Sequence, residues 1–379
     1  MEISAYLDNN ATTRPHPEVV EAMRYYQETL FLNASSIAGE LFGAARPLDD
    51  ARTAMLDLLG GAADVDQIVL TSGASEANSW VMFGALAQTS HAVTCASEHS
   101  SILTAARAAQ ARGHQIDILP VNEHGLIEHE NLAAALRPET RFVSIHLANN
   151  ETGAVQPLAA FGELVRELSP AALLHTDATQ AVGRIPLDLA GSLVEVDLLS
   201  FSAHKFHGPK GIGGLFLRDG VAIDVLISGE QENGLRGGTS NVPGAAGLAA
   251  AARLAKLGLS GMAKVAELRD QLEGRLLAFR PDAIIHSRSA ARLPNTSSVA
   301  FPGVMADDVT EQLALRGICI ATGSACSAGA TAPSHVLTAM GVPLDDARAT
   351  LRFSLSVETT QDEVDRTMTA LEPLLRSAQ

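Results

Sequence analysis

The sequence is short of cysteines and of positive charges, and each shortage excludes a class of protein. Three cysteines, Cys95, Cys319 and Cys326, occur in 379 residues. They are too few for the disulfide framework of a secreted domain and suit a reducing cytoplasm, and none of their spacings is that of a zinc or redox pair. With 27 basic against 43 acidic residues, the formal net charge is -16. We therefore expect neither nucleic acid nor a membrane surface as a direct partner.

Long hydrophobic runs and a basic leader are also missing. No apolar stretch reaches the roughly 20 residues of a membrane-spanning helix, and the Ala-rich stretch Gly244–Leu259 is interrupted by Arg253 and Lys256. The N-terminus has no basic patch followed by an apolar core, so we expect no secretory signal. The hydrophobic fraction of 46% is typical of a globular protein, and a chain of this length suggests two domains.

Short apolar runs alternate with helix-like segments through the first two thirds of the chain. The strand-like runs are Ile68–Thr71, Ala92–Ala96, Ile116–Leu119, Phe142–Leu147, Leu173–Thr176, Asp197–Phe201 and Ile212–Leu217, and the helix-like segments include Ser75–Ala87, Ser101–Ala111 and Leu158–Leu168. This alternation predicts an α/β fold with a seven-stranded, mainly parallel sheet that is covered on both faces. The last two runs are joined by about ten residues, too few for a helical crossover, so the last strand should run antiparallel to its neighbour.

After about Leu257 the pattern changes to that of a smaller α/β domain. The predicted elements are a helix at Met262–Phe279, strands around Ala283–His286 and Asn295–Phe301, a helix at Asp307–Arg316, a strand at Arg352–Ser356 and a helix from about Gln361. Thr360 and Glu363 could form a capping box at the start of the last helix. We expect a large domain of residues 16–257 and a small domain made of residues 1–15 and 258–379.

Polar residues follow the predicted strands at the sheet edge where open α/β folds bind ligands. They are Ser75 in TSGASEAN, His99, Asn149 and Asn150, Asp177 and Gln180, and then Ser202, His204 and Lys205. The glycine turn that opens a helix near Ser75 favours a phosphate. A lysine for a Schiff base, a carboxylate beside a pyridine nitrogen and a ring-stacking histidine are the further parts of a pyridoxal phosphate site.

Each of these residues alone also has an ordinary structural explanation. Asp177 could be a turn or cap residue, and His99 a core histidine. We expect His175 or His146 to be a core histidine whose ring nitrogens are satisfied. Gly208–Gly214 could be a tight hairpin, and it lacks the Lys-Ser/Thr ending of a nucleotide P-loop. The convergence of compatible roles at one sheet edge favours the cofactor site.

Ten stretches, in order along nearly the whole chain, resemble one enzyme family. They are YLDNNATT (Tyr6–Thr13), TSGASEAN (Thr71–Asn78), EH (Glu98–His99), NNETG (Asn149–Gly153), DATQ (Asp177–Gln180), SAHKFHGPKGIG (Ser202–Gly213), RGGTSNV (Arg236–Val242), GSACSAG (Gly323–Gly329), PSHVL (Pro333–Leu337) and LRFSLS (Leu351–Ser356). The chain resembles the NifS/IscS-type cysteine desulfurases of the class V aminotransferase group. The resemblance implies the fold-type I architecture of pyridoxal-phosphate-dependent transferases.

The resemblance also implies a role for each matching residue at the cofactor ring. Lys205 would hold the cofactor as a Schiff base, Asp177 would pair with the pyridine nitrogen, and His99 would stack on the ring and handle protons. Gln180 would bond to the phenolic oxygen, and Asn150 would support both the ring and the substrate.

The phosphate would be bound by residues from two subunits. Ser75 with the adjoining Ala74, Ser202 and His204 would bind it within one chain. Thr239 would reach the same phosphate from the neighbouring subunit, which makes a homodimer part of the expected active site.

Arg352 and Cys326 are the substrate-facing residues that the resemblance implies. Arg352 would clamp the substrate carboxylate, a bidentate task for which a guanidinium is suited. Cys326 lies in the Gly- and Ala-rich stretch ATGSACSAGATAPS, and its thiolate would attack the substrate sulfur, with His99 as a nearby proton acceptor. The alternative, a small buried hydrophobic cysteine, describes Cys95 and Cys319 better.

The leading hypothesis is a cysteine desulfurase that converts L-cysteine to L-alanine and passes a persulfide to an iron–sulfur scaffold or a thiolation enzyme. A selenocysteine lyase, or another β-eliminating or transaminating relative, is the alternative within the fold. A catalytically silent scaffold and a metal-dependent hydrolase using His175 and Asp177 are alternatives from other classes.

The stretch FLNASSIAGELFG (Phe31–Gly43) departs from the family pattern, since Leu32 and Ala34 replace the usual Gly and Pro and a His is absent. This departure bears on substrate preference and partner docking.

Overall fold

The computed structural model describes residues 2–62, 65–86, 90–323 and 333–376. The strands are β1 (Ala5–Tyr6), β2 (Gln67–Thr71), β3 (His91–Cys95), β4 (Gln115–Leu119), β5 (Thr140–Ser144), β6 (Leu173–Asp177), β7 (Leu198–Ser202), β8 (Gly213–Leu217), β9 (Ile284–Ile285), β10 (Thr296–Ala300), β11 (Ile318–Cys319), β12 (Ala321–Thr322) and β13 (Thr350–Ser354). The helices are α1 (Pro17–Glu28), α2 (Ile37–Phe42), α3 (Arg46–Leu59), α4 (Ala74–Gly84), α5 (Ser100–Ala111), α6 (His129–Ala135), α7 (Leu158–Leu168), α8 (Val242–Gly258), α9 (Met262–Phe279), α10 (Ala306–Ala314), α11 (His335–Ala339), α12 (Leu344–Arg348) and α13 (Gln361–Arg376). Single 3-10 turns occupy Ala203–Lys205, Glu232–Gly234 and Leu259–Gly261.

The central sheet has seven strands in the order β2-β8-β7-β6-β5-β3-β4. Its strands from β4 to β7 are parallel, whereas β8 runs antiparallel to both β7 and β2. The prediction of a mainly parallel sheet with an antiparallel last strand is confirmed. A single 3-10 turn, Ala203–Lys205, lies in the connection between β7 and β8, so no helical crossover is present to carry the chain back in the parallel direction.

Helices cover both faces of this sheet, as the pattern predicted. Ile68 and Leu70 of β2 join one hydrophobic cluster with Phe161 of α7, whereas Val69 joins another with Trp80 of α4. Successive side chains of a strand point to opposite faces, so a strand between two layers of helices must carry apolar side chains on both of its faces. The strands are therefore buried, and their carboxyl ends are the sheet edge left for polar residues.

The C-terminal part forms a second sheet of four antiparallel strands, in the order β12-β13-β10-β9. Its hydrophobic cluster includes Leu272 of α9, Phe353 of β13 and Leu371 of α13, and Leu7 from the N-terminal segment joins it. Strand β1 pairs in parallel with β11. The N-terminal segment thus packs with the C-terminal strands, while the proposed domain limits at residues 16 and 258 stay a prediction.

Several local predictions can be compared with the observed elements. The helix Met262–Phe279 is confirmed at both ends, and the capping box is present, since the Thr360 amide donates to Glu363 Oε2 at 2.9 Å and the Glu363 amide donates to Thr360 Oγ1 at 3.2 Å. The strand expected at Arg352–Ser356 begins and ends two residues earlier, because Thr350 and Leu351 pair with β10. Within the described parts of the chain, no helix is both long enough and apolar enough to cross a bilayer.

Candidate active site

A cavity of about 590 Å³ lies beyond the carboxyl ends of the parallel strands, where the N-terminal segment and β13 close over the sheet. It is lined by Ala74, Ser75, His99, Asn150, Asp177, Gln180, Ser202, His204, Lys205 and Arg352, all of which the sequence placed in a common site. Cys326 lies outside the described residues. The structure therefore brings the candidate residues of the large sheet and Arg352 of the small sheet around one cavity.

Lys205 enters the cavity from the 3-10 turn that follows β7. Its Nζ donates hydrogen bonds to the carbonyl oxygens of Asn10 at 2.6 Å and Ala11 at 2.9 Å. The Thr13 amide donates to the His204 carbonyl at 2.9 Å, which fixes the turn against the N-terminal segment. The amine is thus held at the cavity wall by main-chain acceptors, so it is ordered and accessible from the cavity.

Asp177 is the buried carboxylate at the end of β6. Its Oδ2 accepts from Asn78 Nδ2 at 2.7 Å, and its Oδ1 accepts from the Thr179 amide at 2.9 Å. Burial by itself raises the pKa of Asp177, but the hydrogen bonds from Thr179 and Asn78 and the nearby His99 outweigh it and lower that pKa below its usual range. The cavity therefore contains a carboxylate that is ionised at neutral pH.

His99 caps the N-terminus of α5 with its ring. Its Nδ1 accepts from the Ser101 amide at 3.2 Å and lies 2.8 Å from the Ser101 hydroxyl, so a neutral ring carries its proton on Nε2. Burial lowers the pKa of His99; Asp177 opposes this, whereas Lys205 and His335 add to it. The net pKa lies below 6.5, and the imidazole is neutral at pH values near 7.

The turn before α4 lines the cavity with Gly73 and Ser75. Ser75 is exposed in the first turn of this 11-residue helix, and a Cβ on Gly73 would lie 3.4 Å from Ser202 Oγ. Burial and the charges of neighbouring cations lower the pKa of His204 to about 4, so this ring is neutral and contacts Thr12 Oγ1 through Nδ1 at 3.1 Å. A helix N-terminus and neutral donors together suit a bound anion.

Thr239 lies apart from this end of the cavity in the single chain. It is exposed and lines a smaller cavity of about 210 Å³ with Arg236. Arg236 Nε donates to Glu76 Oε1 at 2.8 Å, which ties the Thr239 loop to the first turn of α4. Thr239 is thus exposed at the surface of the single chain, and its role in a neighbouring subunit stays a prediction.

Arg352 projects from β13 into the cavity and is nearly fully buried. Its Nη2 donates to Asp8 Oδ1 at 2.8 Å and its Nη1 donates to the Asn150 carbonyl at 3.1 Å. Its Nε is buried without a hydrogen-bond partner among the described residues. Asp8 belongs to a motif that the sequence analysis quoted without giving this residue a role, and it supplies the counter-charge that keeps the guanidinium in place.

Arg184 is a residue that sequence reasoning missed. Its guanidinium is buried beneath the cavity and donates to Gln180 Oε1, to the Asn9 carbonyl at 3.0 Å and to the Lys205 carbonyl at 3.3 Å. Burial lowers the pKa of Arg184 to about 9, and the charge of Arg352 adds to this effect. Because Gln180 Oε1 accepts from Arg184, the amide must present Nε2 to the Asn10 side, where it donates to the Asn10 carbonyl at 3.1 Å.

The sequence contained a weak signal for Arg184. It is the cation in the otherwise apolar stretch Ala181–Ile185 and stands four residues after Gln180. A cation among apolar residues is a candidate for burial, and a buried charge needs hydrogen-bond partners.

The two candidate core histidines have different outcomes. His175 is confirmed, because Nδ1 lies 2.9 Å from Ser144 Oγ and Nε2 lies 2.9 Å from Ser200 Oγ. Both ring nitrogens are engaged, which argues against a metal-dependent hydrolase built on His175. His146 is also buried but is not satisfied, because its Nε2 has no hydrogen-bond partner among the described residues.

The described chain resumes at Pro333, and the next two residues contact the large sheet. Ser334 Oγ donates to Glu151 Oε2, and His335 Nε2 lies 2.8 Å from the Glu98 carbonyl. Ser334 also caps α11 through the Leu337 amide at 3.1 Å. The PSHVL motif thus fixes Ser334 and His335 against the loops that carry Glu98 and Glu151.

The Glu151 contact leads to a prediction on pH and stability. Burial raises the pKa of Glu151 to about 7, although the Ser334 hydrogen bond and Arg352 lower it in part. A carboxyl whose pKa is higher in the folded than in the unfolded protein contributes its full stabilisation at pH values below the unfolded pKa. This contribution is lost as the pH rises through the folded pKa, which is about 7 for Glu151. Between about pH 5 and about pH 8 the wild type should therefore lose up to about 3 kcal/mol of unfolding free energy relative to Glu151→Gln.

Urea unfolding of both proteins at the two pH values measures this difference. The glutamine keeps an oxygen to accept from Ser334 but cannot ionise, so its curve lacks the contribution of residue 151. Parallel pH dependence in the two proteins would contradict the raised pKa.

Comparison with known proteins agrees with this geometry. The model of the aminotransferase class-V family matches residues 5–367. A cysteine desulfurase of Cereibacter sphaeroides is 44% identical over 98% of this chain and 95% of its own length, and one of Trichormus azollae is 41% identical over 98% and 92%. A solved structure of a NifS-like protein has a TM-score of 0.90 at 35% identity and covers 100% of both chains. The chain therefore belongs to the class-V aminotransferases and, within them, to the cysteine desulfurases.

Proposed function

We propose that the protein converts L-cysteine to L-alanine with pyridoxal 5'-phosphate held on Lys205, and that the sulfur leaves as a persulfide on Cys326. The observation that carries the proposal is the joint placement of Lys205, Asp177 and His99 around one cavity. Asp177 is buried and ionised, as a partner for a protonated pyridine nitrogen must be. The N-terminus of α4 offers a site for the phosphate group. The residues present thus fit this cofactor.

When bound, pyridoxal phosphate supplies an electron sink for the bond-breaking steps at the amino acid. Lys205 is proposed to attach the cofactor covalently and afterwards to move protons between substrate carbons, because its amine lies at the cavity wall. Neutral His99 is proposed to stack on the cofactor ring and to exchange a proton through Nε2. Gln180 Nε2 is proposed to donate to the phenolic oxygen, since Arg184 fixes the orientation of its amide.

Substrate binding is assigned to Arg352 and Asn150. The guanidinium is held on one side by Asp8 and by the Asn150 carbonyl, so its position is set before a substrate arrives. A planar guanidinium binds a carboxylate through two parallel hydrogen bonds, which fixes the orientation of an amino acid. Arg352 is therefore proposed to recognise the α-carboxylate of L-cysteine.

The sulfur-transfer step is assigned to Cys326. Its thiolate attacks the substrate sulfur, a sulfur–sulfur bond forms, and the carbon–sulfur bond breaks with its electron pair remaining on the substrate carbon. Protonation of that carbon leaves alanine, so no external oxidant is required. The persulfide is then available to a thiol acceptor such as an iron–sulfur scaffold or a thiolation enzyme. A catalytic thiol must stay reduced, which supports a cytoplasmic location.

A homodimer completes the proposed site. Thr239 does not line the cavity of its own chain and is proposed to bind the phosphate of the partner subunit. The segment Phe31–Gly43 exposes Phe31, Ile37, Leu41 and Phe42, each between 70% and 80% accessible. Large exposed apolar side chains in one short segment support a contact with a second copy.

The role of Arg184 can be tested through cofactor affinity. Arg184→Lys replaces a fork of donors by one ammonium, so at least one of the acceptors on Gln180 and Lys205 loses its donor. An unsatisfied buried acceptor costs about 1–3 kcal/mol, and apoprotein should therefore bind pyridoxal phosphate roughly tenfold more weakly. Absorbance titration measures this, with the exposed Arg253→Lys as the matched control. Equal affinities for both variants would contradict the positioning role.

Alanine formation from L-cysteine by purified holoenzyme, with a thiol reductant present, tests the proposed reaction. We expect alanine and sulfide in equal amounts. A yellow protein that makes no alanine would keep the cofactor but reject the substrate, and Phe31–Gly43 would then be the first segment to exchange. Alanine formed from L-selenocysteine but not from L-cysteine would instead favour a selenocysteine lyase.

A further inference from the structure

Three buried side chains form a cluster beside the cavity that the proposed reaction does not use. Cys95 ends β3, Glu98 lies in the turn before α5, and His146 follows β5; their exposed fractions are 0%, 0% and 3%. Glu98 Oε1 accepts from the His146 amide at 2.7 Å. Glu98 Oε2 and His146 Nε2 are buried without hydrogen-bond partners among the described residues. A buried polar atom left unsatisfied costs about 1–3 kcal/mol. A ligand that binds Glu98 Oε2 would explain why this oxygen is buried without a hydrogen-bond donor.

The donor atoms of the cluster have the spacing of a metal site. His146 Nδ1 lies 3.7 Å from Cys95 Sγ and 3.7 Å from Glu98 Oε2, and one donor atom from each residue lies within 4.8 Å of the others. Tetrahedral zinc, with bonds of about 2.3 Å to sulfur and about 2.0–2.2 Å to nitrogen and oxygen, holds such atoms about 3.3–3.6 Å apart. Small side-chain movements would close the difference.

The charge and chemistry of the cluster select a class of cation. A thiolate and a carboxylate together neutralise a divalent ion, which removes the penalty for a buried net charge. Thiolate and imidazole ligands favour zinc-like ions over magnesium or calcium. His146 and Ser97 also line the active-site cavity, which gives the ion a route to the cluster and a water molecule for the fourth position.

We propose that Cys95, Glu98 and His146 bind a thiophilic divalent cation, of which zinc fits best, and that the ion joins the end of β3 to the chain after β5. On binding, the Cys95 thiol and His146 Nδ1 each give the proton they carry to solvent, and the thiolate, Nδ1 and the Glu98 carboxylate then donate electron pairs to the metal. His146 lies 51 positions after Cys95 and 48 positions after Glu98 in sequence, so the ion is a cross-link within the large sheet. Because His99 follows Glu98 directly, the ion also stabilises the turn that carries His99.

Zinc binding to holoenzyme in a Cys326→Ser background tests the proposal, because that background removes the thiol proposed to be catalytic as a competing ligand. The protein is dialysed against a buffer that contains zinc as the only added metal, and the zinc bound per chain is measured. The shift that zinc causes in the thermal unfolding midpoint is measured as well. We expect one ion per chain and a raised midpoint. Adding Cys95→Ala should weaken binding at least roughly tenfold and remove the shift. Adding Cys319→Ala, the matched cysteine outside the cluster, should change neither.

Cobalt substitution and a second variant keep the test valid even if Cys95→Ala does not fold. Cobalt in the proposed site should show the visible bands of a tetrahedral ion and a sulfur-to-metal charge-transfer band that Cys95→Ala removes. Glu98→Gln keeps an acceptor for the His146 amide but removes the charge, and it too should weaken zinc binding roughly tenfold. Equal zinc affinity in the background protein and in a folded Cys95→Ala or Glu98→Gln variant, or a cobalt spectrum without a sulfur band, would overturn the proposal.

Discussion

Lys205→Ala is expected to give a folded protein that binds no pyridoxal phosphate covalently and forms no measurable alanine from L-cysteine. The reason is that one amine carries two tasks, covalent attachment of the cofactor and movement of protons between substrate carbons. Loss of a positioned acid–base group alone costs about 10²–10⁴-fold in rate, so the combined loss should exceed this range. The fold should survive. The Lys205 Nζ donates only to main-chain carbonyls of the N-terminal segment among the contacts described above, and water can donate to these carbonyls instead.

Borohydride reduction followed by mass spectrometry measures the attachment directly. Reduced wild type should carry one cofactor on the peptide that contains residue 205. Lys256→Ala is the matched control, because Lys256 is an exposed lysine that pairs with Asp57 on the surface, and it should label like the wild type. A Lys205→Ala protein that still retained reduced cofactor in equal amount would move the attachment to another lysine.

Cys326→Ser is expected to keep the yellow colour and to lose persulfide formation. The hydroxyl of serine is a far weaker nucleophile towards sulfur at neutral pH than a thiolate, whereas the groups proposed to hold the cofactor are unchanged. Alanine formation from L-cysteine should fall by at least about 10²-fold. The cofactor absorbance and the covalent labelling of Lys205 should equal those of the wild type.

The products distinguish the alternatives if activity remains. Cys319→Ser is the matched control, since Cys319 is a half-buried thiol of β11 whose pKa is raised by burial and by Asp8, and it should retain full alanine formation. Unchanged sulfide release in Cys326→Ser would replace the persulfide mechanism by direct elimination. Alanine from L-selenocysteine at the wild-type rate, with loss of activity on L-cysteine alone, would favour the lyase.

Much of the large sheet could be predicted because its strands are short and apolar on both faces. Ile68 and Val69 belong to opposite clusters, so a run without polar interruptions is the signature of a strand between two layers. The antiparallel direction of β8 followed from the length of one connection. The exact ends were less predictable: the strand expected at Phe142–Leu147 is β5, Thr140–Ser144. The Ile145 and Leu147 amides nevertheless still donate to β6, at 3.1 Å and 3.0 Å.

The residues that line the cavity were predictable because strand ends converge, but those that hold them in place were not. Asn10 accepts from Lys205 and donates to the Asn150 carbonyl at 3.0 Å, which requires the N-terminal segment to cross the sheet edge. Nothing in a local pattern predicts such a crossing. Arg184 and the orphaned nitrogen of His146 depend in the same way on neighbours far away in sequence. The family resemblance supplied Arg352, but its pairing with Asp8 joins residues 344 positions apart.

The most direct test of the account is a single turnover of holoenzyme with one equivalent of L-cysteine and no reductant. The account predicts one alanine per active site and a protein heavier by one sulfur atom, with that sulfur on the peptide containing Cys326. Alanine with unmodified Cys326, or free sulfide with no alanine, would contradict the central claim that Cys326 receives the sulfur.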